Sequence, residues 1–317
     1  MLNISVILCT HNPRKDYLRR VLAGLRAQTL PLHQWELLLV DNASAASLAG
    51  RFDLSWHPNA RHVREEELGL TPARLRGIRE ASGAILVFVD DDTVLAPDYL
   101  EQALTVGAEW PFVGIWGGSC LPEYETKLPD WVGDEVWRLT VQEVKEDIWS
   151  NLREGFTTIP PGAGMCVRKE VCQKFLARCQ NEGARALGRK GSALSAYEDA
   201  DLAHCALDLG LGTGKSTRLR LTHLIPAGRL TLDYFVRHAE GDAASLLVFR
   251  ALRGLPIQQP RPPTWIDSLR WLVHRLTHHI PHEQQAIQKA HRRGLSKGWE
   301  LAAKYLQSNH SAGGNMK

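Results

Sequence analysis

Apolar residues fall along this chain in short runs closed by polar turns. Ile4 to Cys9 is a β-rich run, and Thr10-His11-Asn12-Pro13 breaks it. From Asp16 to Gln28 the spacing turns helical, with Leu18, Val21, Leu22 and Leu25 on one face. Trp35 to Val40 reads as a second buried strand, closed by Asp41-Asn42-Ala43-Ser44. Thr71-Pro72 opens the next helix as N-cap and first-turn proline, and Gly83 follows its end near Ala81. Ala84 to Val89 is the third strand. Strands alternating with helices at this spacing predict an α/β fold: a mostly parallel sheet covered on both faces.

The pattern is weaker further on. Trp110 to Val141 is rich in Trp, Gly and Pro and reads as loops and short strands. Pro160-Pro161-Gly162-Ala163-Gly164 is a turn before a strand-like Met165 to Arg168, and Lys169 to Gln180 looks helical. Asn181 to Ser195 is expected to be a mobile loop. Glu198 to Leu209 predicts a helix, Arg218 to Leu224 a strand, and Leu230 to Arg253 one or two helices. Four prolines over 256–263 mark a linker. Beyond them Trp265, Ile266, Leu269, Leu272, Val273, Leu276 and Ile280 form one helical stripe opposite Arg270, His274, Arg275, His278 and His279. Such a basic amphipathic helix either packs on the domain or lies on an anionic membrane surface. A disordered tail is expected after Gln307. The organisation predicted is a domain over 1–226 and a helical extension over 227–317.

Composition narrows the classes. Hydrophobic residues at 44% and charged residues at 23% fit a globular chain rather than a disordered one. Lys+Arg is 38 against Asp+Glu 35, without a long basic block, so no nucleic-acid partner is expected. Cys9, Cys120, Cys166, Cys172, Cys179 and Cys205 form no Cys-x-x-Cys pair, which suggests reduced thiols in a cytoplasmic protein. The N-terminus lacks the basic region of a signal peptide, and no apolar stretch is long enough to span a bilayer.

The third strand ends in Asp90-Asp91-Asp92. Open α/β sheets bind ligands at the C-terminal edges of their strands. Adjacent carboxylates disfavour one another's ionisation, and a divalent cation relieves that cost while recruiting phosphate oxygens. If the strand alternation continued, Asp90 and Asp92 would share a face and Asp91 would point away. The competing reading is a solvated acidic turn.

The order of motifs decides between them. Cys9-Thr10-His11-Asn12, Val40-Asp41-Asn42-Ala43-Ser44, Gly69-Leu70-Thr71-Pro72-Ala73-Arg74 and Phe88-Val89-Asp90-Asp91-Asp92 follow one another at strand and helix edges. Gly162-Ala163-Gly164-Met165, Tyr197-Glu198-Asp199-Ala200-Asp201-Leu202 and Leu221-Thr222-His223-Leu224 come later, at looser spacing. Together they resemble the GT-A glycosyltransferases of family 2, closely over 3–95. The resemblance implies a GT-A-like αβα sandwich, inverting transfer from a nucleotide-diphosphate sugar, and Mn²⁺ or Mg²⁺ as cofactor. It implies a saccharide, lipid-linked or protein acceptor in a cell-surface polysaccharide, glycolipid or glycoprotein pathway, at the inner face of the cytoplasmic membrane if the basic helix docks there.

It also assigns roles. Thr10, Asn12 and Asp41 would meet the base or ribose, although Asn-Pro turn chemistry and capping compete for them. Arg74, at a helix N-terminus that favours anions, would pair with the diphosphate, with Asp91 also near the donor. Leu75 stands where relatives often carry Asn. Asp90, Asp92 and His223 would hold the metal, Asp92 foremost. Gly164 would allow close backbone approach to the donor sugar or acceptor. Asp199, with Glu198 as runner-up, would take the acceptor proton; dipole stabilisation alone also favours acids at a helix start.

Gly210-Leu211-Gly212-Thr213-Gly214-Lys215-Ser216-Thr217 mimics a P-loop, but Leu209 stands where the first glycine is needed, so an ATPase is rejected. A nucleotidyltransferase would need a Gly-rich basic loop after the first strand, where Thr10-His11-Asn12-Pro13 stands. A non-catalytic sugar-nucleotide or membrane-surface binding protein is the other alternative, disfavoured by the intact acidic triplet and acidic pair.

Overall fold

A computed structural model describes residues 2–180, 197–260 and 281–313, with side chains through Gln307. The predicted loop over 181–195 and amphipathic helix over 265–280 lie outside the described residues.

The first strand, β1 (Ile4–Thr10), is buried along its whole length. It pairs in parallel with β2 (Trp35–Asn42) on one side and β4 (Ile85–Asp90) on the other. The edge strand β3 (Ala60–Glu65) adds to β2. Near-continuous apolar runs are what a strand covered on both faces requires. Beyond β4 the sheet becomes mixed. Antiparallel β8 (Cys166–Arg168) joins β4 to β6 (Val113–Tyr124), which runs parallel to β9 (Gly212–Ile225). Two short strands, β5 (Thr93–Leu95) and β7 (Ile148–Ser150), flank β9 antiparallel. The strand order is therefore β3-β2-β1-β4-β8-β6-β9-β5, with β7 on β9.

Alternation along β1 divides the core. Ile4, Val6 and Leu8 meet Leu18, Val21 and Leu25 of α1 (Lys15–Arg26) and Leu100, Ala103 and Val106 of α3 (Tyr99–Glu109). Ile7 and Cys9 meet Leu75 and Ile78 of α2 (Leu70–Glu80), Phe175 of α4 (Lys169–Arg178) and Leu202 of α5 (Glu198–Asp208). The result is the αβα sandwich expected. Thr71 is not the cap of α2: Gly69 holds that place, and the Thr71 hydroxyl donates to Glu198 Oε2 at 2.9 Å.

The C-terminal helices build a third core. Tyr234, Phe235 and Ala239 of α6 (Leu232–Leu252) and Ile287 and Ala290 of α7 (His282–Gly313) pack on Val132 and Leu139. These last two belong to the Asp130–Leu139 segment of 3-10 turns. The extension is thus tied to the Trp-rich segment, and α7 stays helical to Gly313, past the Gln307 where a disordered tail was expected. Residues 256–260 of the linker are without regular structure. No helix among the described residues is long and apolar enough to cross a membrane. All six cysteines are buried free thiols.

Candidate active site

The C-terminal ends of β1, β2 and β4 open into a cavity of about 830 Å³. Its far wall is built by Trp137 and Arg138 from the 130–139 segment, Lys215 and His223 from β9, Arg229 just beyond it, and His238 and Asp242 from α6. Of the residues singled out in the sequence, Thr10, Arg74, Asp90, Asp91, Asp92, Glu198, Asp199 and His223 all line this space. Asn12, Asp41 and Gly164 do not.

Each of those three has a structural occupation. Asp41 is buried, and its Oδ1 accepts from the Ser44 amide (3.2 Å) while Oδ2 accepts from the Leu48 amide (3.1 Å) and Arg64 Nη1 (2.9 Å). Burial pushes its pKa up, but these donors outweigh it and hold it below the usual carboxylate range. Asn12 takes the left-handed region (φ +48°). Its Oδ1 accepts from the Ala45 amide at 2.9 Å, and its own amide donates to Ser44 Oγ at 2.9 Å, which braces the two strand-end loops together. The neighbours His11 and Asn42 line the cavity instead. Gly164 sits at φ +73°, where a Cβ would lie 2.5 Å from Tyr99 Oη, and its carbonyl accepts from that hydroxyl at 2.6 Å. Only glycine is comfortable there, for reasons of packing rather than ligand approach. Gly162 and Ala163 face the cavity.

The acidic triplet departs from simple alternation. β4 ends at Asp90, so the turn that follows brings all three carboxylates to the cavity, including Asp91. The Thr10 hydroxyl donates to Asp91 Oδ2. Burial and the neighbouring Asp92 and Asp90 raise the Asp91 pKa to about 7, with Thr10 and Arg229 opposing. This is the mutual repulsion expected of adjacent acids in a shared site.

Two arginines answer these acids. Arg74 is buried over the Phe88 ring, 3.7 Å from Asp90 Oδ1 and 3.6 Å from Glu198 Oε1. Burial works against its charge, but Glu198 and Asp90 prevail and raise its pKa. Arg74 lines the cavity, but its charge is shared by two acids of the scaffold. Glu198 is buried with it, and desolvation lifts its pKa against the pull of Arg74 and Thr71. Asp199 is less buried: its Oδ1 accepts from the Ala200 amide at 2.9 Å and Oδ2 from the Gly162 amide at 3.2 Å. Those donors aim it from the first turn of α5.

The second arginine is Arg229, which sequence reasoning missed. Its Nη2 lies 2.9 Å from Asp92 Oδ2, and its Nη1 donates to His223 Nε2 at 3.0 Å. His223 Nε2 is itself 3.5 Å from the same Asp92 oxygen. The strand register puts His223 opposite Thr93, and the Leu224 amide donates to the Asp92 carbonyl at 2.8 Å, so the two side chains meet on paired backbone. Asp90 does not join them: among the described residues no three His, Cys, Asp or Glu side chains form a metal-binding group. Of the three residues expected to hold a metal, the fold brings Asp92 and His223 together. A pair still suits Mg²⁺ or Mn²⁺, which are commonly bound through one or two carboxylates with substrate phosphates and water completing the sphere.

Among the described residues the lining carries the acids Asp90, Asp91, Asp92, Glu198, Asp199 and Asp242 and the cations Arg74, Arg138, Lys215 and Arg229. Lys215, set aside with the false P-loop, points its ammonium at Gln142 Oε1 (2.9 Å) from within β9. Nothing local marks Arg229, Trp137, His238 or Asp242, because each reaches the cavity through long-range packing.

Known proteins share this fold. S. aureus TarS 1-349, solved in complex with UDP-GlcNAc, superposes with a TM-score of 0.51 at 14% identity over 94% of this chain and 92% of that one. The fold is that of the GT-A glycosyltransferases. The sequence signature of Glycosyl transferase family 2 matches residues 5–174, and the chain belongs to that family. Glycosyltransferase AglE of Haloferax volcanii is 28% identical over 135 residues, 39% of this chain and 44% of that protein. Glucosyl-dolichyl phosphate glucuronosyltransferase of the same organism is 22% identical over 165 residues, 48% of this chain and 52% of that protein. The chain thus matches about half the length of these curated relatives.

Proposed function

We propose that the enzyme moves a sugar with inversion from a nucleotide-diphosphate sugar to an acceptor hydroxyl. The observation that carries this reading is the single cavity that holds the strand-end carboxylates and Asp199 together. Its volume falls in the usual range for small-molecule sites, roughly 300–1,000 Å³. The base and ribose would lie against Thr10, His11 and Asn42. Asp199 accepts the proton of the acceptor hydroxyl as its oxygen attacks the anomeric carbon. The bond from that carbon to the diphosphate breaks on the opposite face, and the nucleoside diphosphate leaves with the bonding electrons. Asp92 and His223 are the residues that would hold Mg²⁺ or Mn²⁺, whose charge offsets that on the departing diphosphate. Glu198, buried against Arg74, positions that arginine and is not the base.

UDP-sugars are the first donors to test, since the TarS structure holds UDP-GlcNAc; GDP- and dTDP-sugars follow. A lipid-linked acceptor is favoured by the glucosyl-dolichyl phosphate named for one relative, and a saccharide or protein acceptor would use the same base. On this reading the enzyme acts in the making of a surface polysaccharide, glycolipid or glycoprotein, at the inner face of the cytoplasmic membrane.

Calorimetry with UDP, GDP, CDP and dTDP, each with and without Mn²⁺, tests the donor site in wild type and Asp92→Asn. One nucleotide should bind tightly, and only with both the metal and Asp92. Asp199→Asn should keep that binding while transfer falls by about 10²–10⁴-fold, the usual contribution of a general base. Equal loss of binding and transfer in Asp199→Asn would assign it a structural role instead.

A further inference from the structure

We propose that Arg229 is an internal cation that holds the Asp92–His223 pair until a metal–diphosphate arrives, so that free divalent cation is excluded and metal enters with the donor. The inference rests on the metal reading above. It starts from the positions of two nitrogens. Arg229 places Nη2 on the Asp92 carboxylate and Nη1 on His223 Nε2, the same two groups a metal would use. A guanidinium has only donors, so Nε2 is the acceptor towards Arg229, and it is the same nitrogen a metal would use. His223 Nδ1 is buried and has no hydrogen-bond partner among the described residues, so its contact with Arg229 is made through Nε2.

The pair itself is rigid, because paired backbone of β5 and β9 sets its spacing. Arg229 is not. It stands on a single 3-10 turn, Ala227–Leu230, and its side chain keeps 24% of its exposure, against 5% for Arg74. Its partners Asp92 and His223 are buried, so the guanidinium leaves them readily only when another anion takes their place. When the donor binds, its diphosphate offers the released guanidinium an equivalent anionic partner. With no donor present, a lone metal must displace Arg229 without that compensation. Arg229 is thus a positioning residue for the metal pair, and it couples metal affinity to nucleotide.

Mn²⁺ binding to the full chain tests this by electron paramagnetic resonance of the free ion. Wild type, Arg229→Gln and Arg229→Lys are each measured with Mn²⁺ alone and with Mn²⁺ plus UDP, GDP, CDP or dTDP. Expected is weak binding of Mn²⁺ alone to wild type, at least tenfold tighter binding to Arg229→Gln, and a value near wild type for Arg229→Lys. The nucleotide dependence of metal affinity should shrink in Arg229→Gln. Equal or weaker binding of Mn²⁺ alone to Arg229→Gln, with nucleotide-dependent binding intact in wild type, overturns this inference and leaves the metal site standing. No Mn²⁺ binding to any of the proteins, with or without nucleotide, overturns both. Circular dichroism of each variant confirms that it is folded, and an Asp92→Asn, Arg229→Gln double variant should lose the gain.

Discussion

Two arginine clusters share this cavity, and the tighter one is the more easily opened. Arg74 stands 3.6 and 3.7 Å from its two acids, Arg229 2.9 and 3.0 Å from its two partners. Distance alone would make Arg229 the stronger link. Burial reverses the order. Arg74 lies under Gly162 and over Phe88, and both it and Glu198 keep only 5% of their side-chain exposure. Arg229 sits at the rim of the far wall on a short turn. The cost of breaking an ion pair is set by what the orphaned charge meets afterwards, and that differs between the two.

Three substitutions probe the contrast. The largest effect is expected from Arg74→Met, which leaves Glu198 buried without its cation. Chemical denaturation should show a loss of about 3–5 kcal/mol, the usual cost of removing one partner of a buried pair. Adding Glu198→Gln should return much of it, because the uncompensated charge goes too. A single-variant loss below about 1 kcal/mol would mean that Arg74 behaves as a surface residue, and the contrast would collapse.

Gly162→Ala comes next. Its Cβ would lie 2.5 Å from Arg74 Nη2 and 3.1 Å from Nη1, so the sealed guanidinium must shift. Overpacking of this kind costs about 1–3 kcal/mol, read from the same denaturation midpoint. The smallest effect is expected from Arg229→Met, below that of Arg74→Met, because Arg229 is the less buried arginine although Asp92 is left without it. A loss matching that of Arg74→Met would show both arginines to be scaffold and would remove the basis for an exchangeable cation.

The two halves of the sheet differ in the same way in how far they can be read from sequence. β1, β2, β4, α1, α2, α4, α5 and α6 each fall within a few residues of the expected spans. The strands are near-continuous apolar runs covered on both faces, α1, α2, α4 and α5 bury apolar faces on the sheet, and α6 buries its own in the third core. β3 was missed, since as an edge strand it buries only Val63 deeply. α3 and the twelve-residue β6 were hidden too, the latter inside a Trp- and Gly-rich stretch whose spacing does not repeat. β9 begins at Gly212, inside the P-loop mimic, where its glycines pass close to Trp110 and Ser150.

What the sequence determined by itself is local. It placed carboxylates at the end of a buried strand, an acidic pair at a helix start and a histidine late in another strand, because each depends on a few adjacent residues. What the tertiary structure decided is which of these groups are already satisfied. Asp41 is saturated by Ser44, Leu48 and Arg64, Gly164 is held by Tyr99, and Glu198 answers Thr71, 127 residues away. Arg229 reaches Asp92 only because β9 runs antiparallel to β5 and ends beside it. A side chain's chemistry is written in its type, but its availability depends on neighbours that only the folded chain brings into contact.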